Sequence, residues 1–257
     1  MLVACAWLTH EYPCDSLSSI ARRVKSGNYK NVVVLMGAGC STSAGIPDFR
    51  TPGTGLYSKV ADWGLPCRES VFDLSYFNNT GPDAFYRIAK EMYPRDEFVP
   101  TRAHRFVRCL QDKNVLGKCY TQNIDGLERK AGVGADKLVE AHGSFSGDGM
   151  CGICGDGCEE ELLRETCTQT ESVDEMKSKL RCRKAGCEGY YKPPIVFFGE
   201  DLPGKFKANY MKDMQEADLV IVMGTSLQVR LRGRGARRVG RAAHGTSGGA
   251  VLLRHHL

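Results

Sequence analysis

Between Gly37 and Arg50 the chain reads Gly-Ala-Gly-Cys-Ser-Thr-Ser-Ala-Gly-Ile-Pro-Asp-Phe-Arg, a concentration of groups suited to an anionic, ring-bearing ligand. Glycines let the backbone approach a ligand closely, and Gly37 and Gly39 are expected to adopt positive φ. The N–H groups of Ala38 and Gly39, with the Ser41 and Thr42 pair, would then face a phosphate. Ser41, Thr42 and Ser43 are also N-cap residue types, and a helix starting there would turn its positive end toward the same anion. A glycine turn alone equally fits an ordinary strand-to-helix connection. The continuation points to a site, because Asp48, Phe49 and Arg50 add a carboxylate, a ring and a guanidinium. Arg50 suits a phosphate contact or a surface ion pair.

Further chemistry-bearing residues sit at the ends of short apolar runs. Gln122-Asn123-Ile124-Asp125 follows Cys119-Tyr120-Thr121, His142 follows Leu138-Val139-Glu140-Ala141, and Thr225-Ser226 follows Leu219 to Met223. Asn-Ile-Asp-Gly by itself reads as a turn. A lone histidine is most often structural, but an imidazole at a strand end can serve as a general base near neutrality.

The elements that must position these groups are readable from pattern. Asn31 to Met36 is a β-branched run ending in glycine, as in a strand buried within a parallel sheet. Ile195 to Phe198 and Leu219 to Met223 read as further strands. Helices are predicted over Asp15 to Ser26, with Ser16 as N-cap, and over Arg102 to Lys113, with Phe106, Val107 and Leu110 inward. His104 on the latter reads as a packed or capping residue. Phe85, Ile88, Ala89 and Met92 line one side of another helix. Short strands with polar carboxyl ends, alternating with helices, define an α/β fold with a doubly wound, Rossmann-like parallel sheet. The expected division is 15–50, 101–145 and 195–229 for this sheet domain, 51–100 for a loop and helical module, and 146–194 for a small module. Residues 230–257 form a tail.

The chain holds twelve cysteines. Cys151 with Cys154, and Cys182 with Cys187, form two close pairs that suit a tetrahedral zinc ion in a structural role. Cys158 and Cys167 are competing ligands by position. Disulfides concentrate in small secreted scaffolds rather than in a 257-residue α/β chain, so reduced thiols and a metal are expected. No apolar stretch reaches membrane-spanning length, and neither a secretory signal nor a transit peptide is visible. A cytoplasmic or nuclear protein is therefore expected. The net charge of +5 comes from the tail, where residues 230–257 hold seven arginines and no Asp, Glu or Lys. The remainder carries 28 basic against 30 acidic residues, which argues against a nucleic-acid-binding surface on the folded part.

Five stretches, taken together, resemble the sirtuins, the NAD-dependent protein lysine deacylases. They are Gly37 to Arg50, Tyr120 to Asp125, Glu140 to Ser144, Lys192 to Glu200 and Met223 to Leu227, in the family's order. The wording is most similar to the deacetylase branch. The resemblance implies NAD contacts from Ala38, Gly39, Cys40, Ser41, Thr42, Asp48, Phe49, Arg50, Gln122, Asn123, Ile124, Asp125, Thr225 and Ser226. It implies catalysis by His142 with Asn123, a substrate edge at Val196, Phe197, Phe198 and Gly199, and one structural zinc on Cys151, Cys154, Cys182 and Cys187. The implied reaction removes acetyl groups from protein lysines, giving nicotinamide and O-acetyl-ADP-ribose, with acetylated partners such as histones or tubulin-like targets and a link to chromatin regulation. A mobile cofactor loop is implied early in 51–100. Phe49, Leu56 and Tyr57 suggest an apolar acyl pocket, with Lys59 the nearby cation.

After Val229 the resemblance stops. The Gly- and Arg-rich sequence to Leu257 is expected to be irregular, leaving the sheet without an edge strand and the adenosine pocket incomplete. An altered reading frame, a splice choice or a gene-model error would account for such an ending, and a basic tail for nucleic acid or chromatin is the rival. Two further functional readings share the same residues: a catalytically impaired, zinc-bearing interaction protein, and a protein ADP-ribosyltransferase.

Overall fold

The computed structural model describes residues 17–225 and, as backbone, 250–253. Ser16, Ser226 and the tail residues 230–249 and 254–257 lie outside the described residues. In chain order the elements are α1 (Leu17–Lys25), β1 (Val32–Met36), α2 (Leu56–Lys59), α3 (Leu74–Asn79), α4 (Asp83–Met92), α5 (Arg102–Asp112), β2 (Leu116–Thr121), α6 (Leu127–Lys130), β3 (Leu138–Glu140), β4 (Gly149–Cys151), β5 (Gly157–Cys158), α7 (Glu160–Gln169), α8 (Val173–Lys179), β6 (Tyr191–Lys192), α9 (Gly204–Glu216), β7 (Leu219–Met223) and β8 (Ala250–Leu253).

The main sheet has the order β3-β2-β1-β7-β8, and its first four strands are parallel. β1 can occupy the centre because every second residue serves a different face. Val32, Val34 and Met36 join Ile20 of α1 and Val107 and Leu110 of α5 in one buried cluster. Val33 joins Val220, Val222 and Phe206 of α9 in another, on the opposite face. Helices on both faces of a parallel sheet make this the doubly wound α/β fold that the pattern predicts. Four of its strands end at one rim, and the predicted polar residues gather there.

A third cluster lies outside the sheet and is built from aromatic rings. Phe85 and Phe197 sit 4.8 Å apart, Phe77 and Phe197 5.5 Å, and Phe72 and Phe85 6.1 Å, all edge-on. This core joins α3, α4, α7 and α8 to the small antiparallel sheet β5-β4-β6.

Several expectations are corrected. Gly37 has φ −137°, and Gly39 is not among the positive-φ residues; Gly45 and Gly224 are. Glycine is required at 37 by proximity, because a Cβ there would lie 2.5 Å from Thr225 Cβ and 2.7 Å from the Gly224 carbonyl. No full helix follows the turn. Two three-residue 3₁₀ turns, Ala38–Cys40 and Thr42–Ala44, take its place, and neither has a side-chain cap. Ile195 to Phe198 is not a strand of the main sheet; single bridges tie Ile195 to Gly143 and Phe198 to Asp73. Phe106 points outward, 40% exposed, since α5 packs through Val107 and Leu110. Within the tail, β8 is a regular edge strand, antiparallel to β7, where irregular chain and a vacant edge were expected.

Gly224 combines φ +65° with a Cβ position 2.4 Å from the Cys40 nitrogen. Gly224→Ala should therefore destabilise the protein by roughly 2 kcal/mol or more, read as a lower urea midpoint at constant slope. A midpoint within error of wild type would show that the turn relaxes freely.

Candidate functional site

The rim begins at the glycine turn. Gly37 N–H donates to the Met223 carbonyl (3.0 Å) and Gly39 N–H to that of Gly224 (2.9 Å), so the turn is fastened to the end of β7. Cys40 N–H bonds Gly37 O, and Ser41 N–H bonds Ala38 O, within the turn itself. Of the N–H groups predicted to face an anion, that of Gly39 is thus already engaged, as is that of Cys40 beside it. Among the described residues, the Ala38 and Thr42 N–H groups have no hydrogen-bond partner. The Cys40 thiol is buried, which pushes its pKa to about 12 and leaves it inert as a nucleophile.

Behind the turn stands the end of β2. Ser41 Oγ donates to the Asp125 carboxylate at 2.6 Å, and the other Asp125 oxygen accepts the Leu127 N–H at 2.9 Å. Asn123 is 4% exposed. Its Nδ2 donates to the Gly37 carbonyl and Ser41 Oγ, both at 3.3 Å, which fixes the amide orientation. The opposite atom, Oδ1, is buried and has no partner among the described residues, leaving an acceptor for a ligand donor. Gln122 accepts a bond from Thr225 Oγ1 at 3.0 Å, linking the ends of β2 and β7.

Four residues that the sequence does not single out as site residues, Thr101, His104, Thr121 and Glu128, support this rim. Thr121 Oγ1 accepts the Asn123 N–H at 3.1 Å and donates to Glu128 at 2.6 Å. Thr101 Oγ1 donates to the Cys40 carbonyl at 2.8 Å. His104, expected to be packed or capping, is both: it is fully buried, and its Nδ1 accepts the Thr101 N–H at the start of α5. Its proton therefore resides on Nε2, 3.9 Å from Glu128. Only periodic patterns signal burial, and Glu128 lies in a four-residue helix too short to show one.

His142 occupies the turn after β3. Its Nδ1 lies 2.9 Å from the Gln122 carbonyl, which can only accept, so Nδ1 carries the proton and Nε2 presents a lone pair. Burial holds the imidazole below its ordinary pKa, opposed by that hydrogen bond. It is a neutral, oriented base at physiological pH.

The loop after the glycine turn folds on Asp48, whose carboxylate accepts the N–H groups of Arg50 (3.0 Å) and Thr51 (2.8 Å). Phe49 packs 5.8 Å from Tyr57 and 5.9 Å from Phe72, while Arg50 is exposed. Lys59 is paired with Glu91. A cavity of about 350 Å³ adjoins this loop, lined by residues that include Thr42, Ile46, Asp48 and Thr51.

The cysteine cluster forms at the tip of the small sheet. Sγ atoms of Cys151 and Cys187 are 3.7 Å apart, and those of Cys154 and Cys182 are 3.6 Å apart. All four lie within 4.8 Å of one another. Tetrahedral zinc with Zn–S near 2.3 Å requires an S···S distance of about 3.8 Å, so the four thiolates fit that ion. Cys158 and Cys167 are not in the cluster; Cys167 is buried in the aromatic core.

The sheet is doubly wound, its glycine turn is fastened to the end of β7, His142 is held in one tautomer, and the four thiolates are spaced for a zinc ion. The Sir2 family model matches residues 37–231, and the chain belongs to that family. It is 42% identical over 219 residues to the NAD-dependent protein deacetylase sirtuin-2 of Danio rerio, a match covering 84% of this chain and 54% of that protein. It is 46% identical over 213 residues to the NAD-dependent protein deacetylase hst2 of Schizosaccharomyces pombe, covering 83% and 60% respectively. With HST2 of Candida albicans it shares 47% over 215 residues, covering 84% and 61%. The chain thus spans between about half and three fifths of these relatives.

Two outcomes follow from this geometry. Burial, with the Asp125 charge second, pushes Glu128 from an ordinary 4.5 up to about 7. Between those values the folded protein retains a proton on Glu128 that the unfolded chain releases, so this residue's contribution to stability falls as pH rises through that window. The wild-type urea midpoint relative to that of Glu128→Gln should therefore fall across about pH 5 to 8; a difference independent of pH would place the effect elsewhere. Metal analysis should find one zinc per chain, and stripping it should collapse the β4–β6 region. An unchanged near-ultraviolet dichroism spectrum and melting temperature after complete removal would show that the thiols bear no metal-dependent fold.

Proposed function

We propose that this chain is an NAD-dependent protein lysine deacylase acting on acetylated proteins. The observation that carries the reading is His142: a neutral base with a fixed tautomer, hydrogen-bonded to Gln122 beside the unpartnered Asn123 Oδ1 and the Ser41–Asp125 pair. The names of the relatives, NAD-dependent protein deacetylases at 42–47% identity, support it.

The donor set suits a dinucleotide. The Ala38 and Thr42 N–H groups would meet the pyrophosphate, while the Thr42 hydroxyl donates to the Gly39 carbonyl within the turn; the exposed Arg50 would add a phosphate contact. Asn123 Oδ1 can accept from a ribose hydroxyl or a carboxamide, and Asp125 holds Ser41 in place. Phe49, fixed by Tyr57 and Phe72, shields the reacting carbon from water. NAD, when bound, would supply an electrophilic ribose carbon with nicotinamide as its leaving group. His142 Nε2 would take the proton of a ribose hydroxyl, and its Nδ1–H bond to Gln122 would steady the imidazolium. The zinc ion serves to hold the β4–β6 region.

The exposed edge at Val196 to Gly199 fits an extended peptide. Among the described residues, the Val196 carbonyl and the Gly199 N–H have no hydrogen-bond partner, as strand addition requires. Histone or tubulin-like targets in the nucleus or cytoplasm are the finer reading and rest on the family resemblance alone. So does the division into a sheet domain, a helical module and a zinc module.

Mass-spectrometric turnover of an acetyl-lysine peptide should require NAD and should drop about 10²- to 10⁴-fold in His142→Ala. A folded, zinc-loaded chain that releases no acetyl group with NAD present would overturn the reading.

A further inference from the structure

Lys192 is 1% exposed, in a protein whose other lysines reach solvent. A buried ammonium needs an acceptor for each of its three protons. Nζ lies 2.8 Å from the Ile195 carbonyl, 2.9 Å from Glu200 Oε2 and 4.5 Å from the centre of the Phe197 ring, which supplies them. The same Glu200 oxygen accepts the Phe197 N–H at 2.7 Å. The ion pair therefore closes residues 193–199 into a loop clamped from inside, at its first half by Ile195 and at its second by Phe197.

That loop joins two halves of the site. The Val196 N–H donates to the His142 carbonyl at 2.8 Å, and the Phe198 N–H donates to the Phe72 carbonyl at 2.7 Å. Phe72 in turn supports Phe49. With Ile195 and Phe197 pulled inward, Val196 and Phe198 face outward, and Phe198 is 46% exposed. The main chain between them is held at a fixed distance from His142.

The geometry points to Lys192 as a positioning residue: through Ile195 and Glu200 it sets the Val196–Gly199 edge against His142, so that acyl-peptide binding depends on an ion pair that touches neither substrate nor cofactor. This rests on the deacylase reading of the groove. Removing Glu200 alone leaves the Lys192 charge buried and unpaired, and removing Lys192 alone leaves the half-buried Glu200 carboxylate without its counter-charge, so either single change destabilises the fold and confuses the test. Removing both does not. Lys192→Met with Glu200→Gln replaces the pair by groups of similar size and keeps an acceptor for the Phe197 N–H.

The experiment compares wild type, Lys192→Met and the double variant in the full, zinc-loaded chain. It reads melting temperature, the thermal shift on adding NAD, and the anisotropy of a fluorescent acetyl-lysine peptide. Lys192→Met should lower the melting temperature, and the double variant should recover most of it. In both, peptide binding should weaken by on the order of tenfold, while the NAD shift stays that of wild type. Peptide affinity that recovers together with stability would make Lys192 merely structural and overturn the proposal. Wild type that binds the peptide without turning it over would refute the deacylase reading and still judge Lys192 by the same affinities. Wild type that binds no peptide would overturn both.

Discussion

The main-chain contact between the glycine turn and the end of β7 is the constraint on which the site depends. Gly37 and Gly39 bond the carbonyls of Met223 and Gly224, and the three glycines approach more closely than any side chain allows. Because β1 and β7 are paired in register along their full length, this contact transmits the position of the sheet directly to the glycine turn. Gln122 completes it from the other side, since its N–H bonds the Met36 carbonyl and its side chain accepts from Thr225. Three strand ends are locked to one another before any ligand is considered, so the rim is preorganised.

Beneath that rim the protein buries polarity at a cost. Thr101, His104, Thr121 and Glu128 link the start of α5 to the end of β2, and both His104 Nε2 and one Glu128 oxygen are buried without a partner among the described residues. An apolar replacement would satisfy the core more cheaply. What the polar set provides is direction: Thr121 orients the Asn123 backbone, and Thr101 grips the Cys40 carbonyl. Stability is exchanged for the fixed attitude of atoms at the rim.

The sequence reveals this arrangement unevenly, for physical reasons. The sheet was legible because strands buried on both faces are continuous apolar runs, as at Val32 to Met36 and Leu219 to Met223. Their polar endings then located Asn123, Asp125 and His142 at one rim. The cysteine pairs were legible because metal spacing is local. Conformation at the glycines was not, since tight approach and positive φ both demand the same residue, and only coordinates tell Gly37 from Gly224. Ile195 to Phe198 has the composition of a strand but packs by alternate insertion into an aromatic core, which composition cannot distinguish. Glu128 and Lys192 were missed because a buried charge is recognised by its partner, and those partners arrive through tertiary contact.

β8 has a further meaning for how the chain behaves among other chains. A parallel strand would need a crossover to reach the sheet edge, whereas the antiparallel β8 meets β7 residue by residue from Val220 opposite Leu253 to Met223 opposite Ala250. Main-chain bonding of this kind is indifferent to which side chains are carried. β7 is apolar almost throughout, and with its outer edge bare it would be a template for any extended segment of a neighbouring molecule. Those four residues cover that edge, so shortening the chain before Ala250 would leave the main-chain groups of β7 open to a neighbouring molecule.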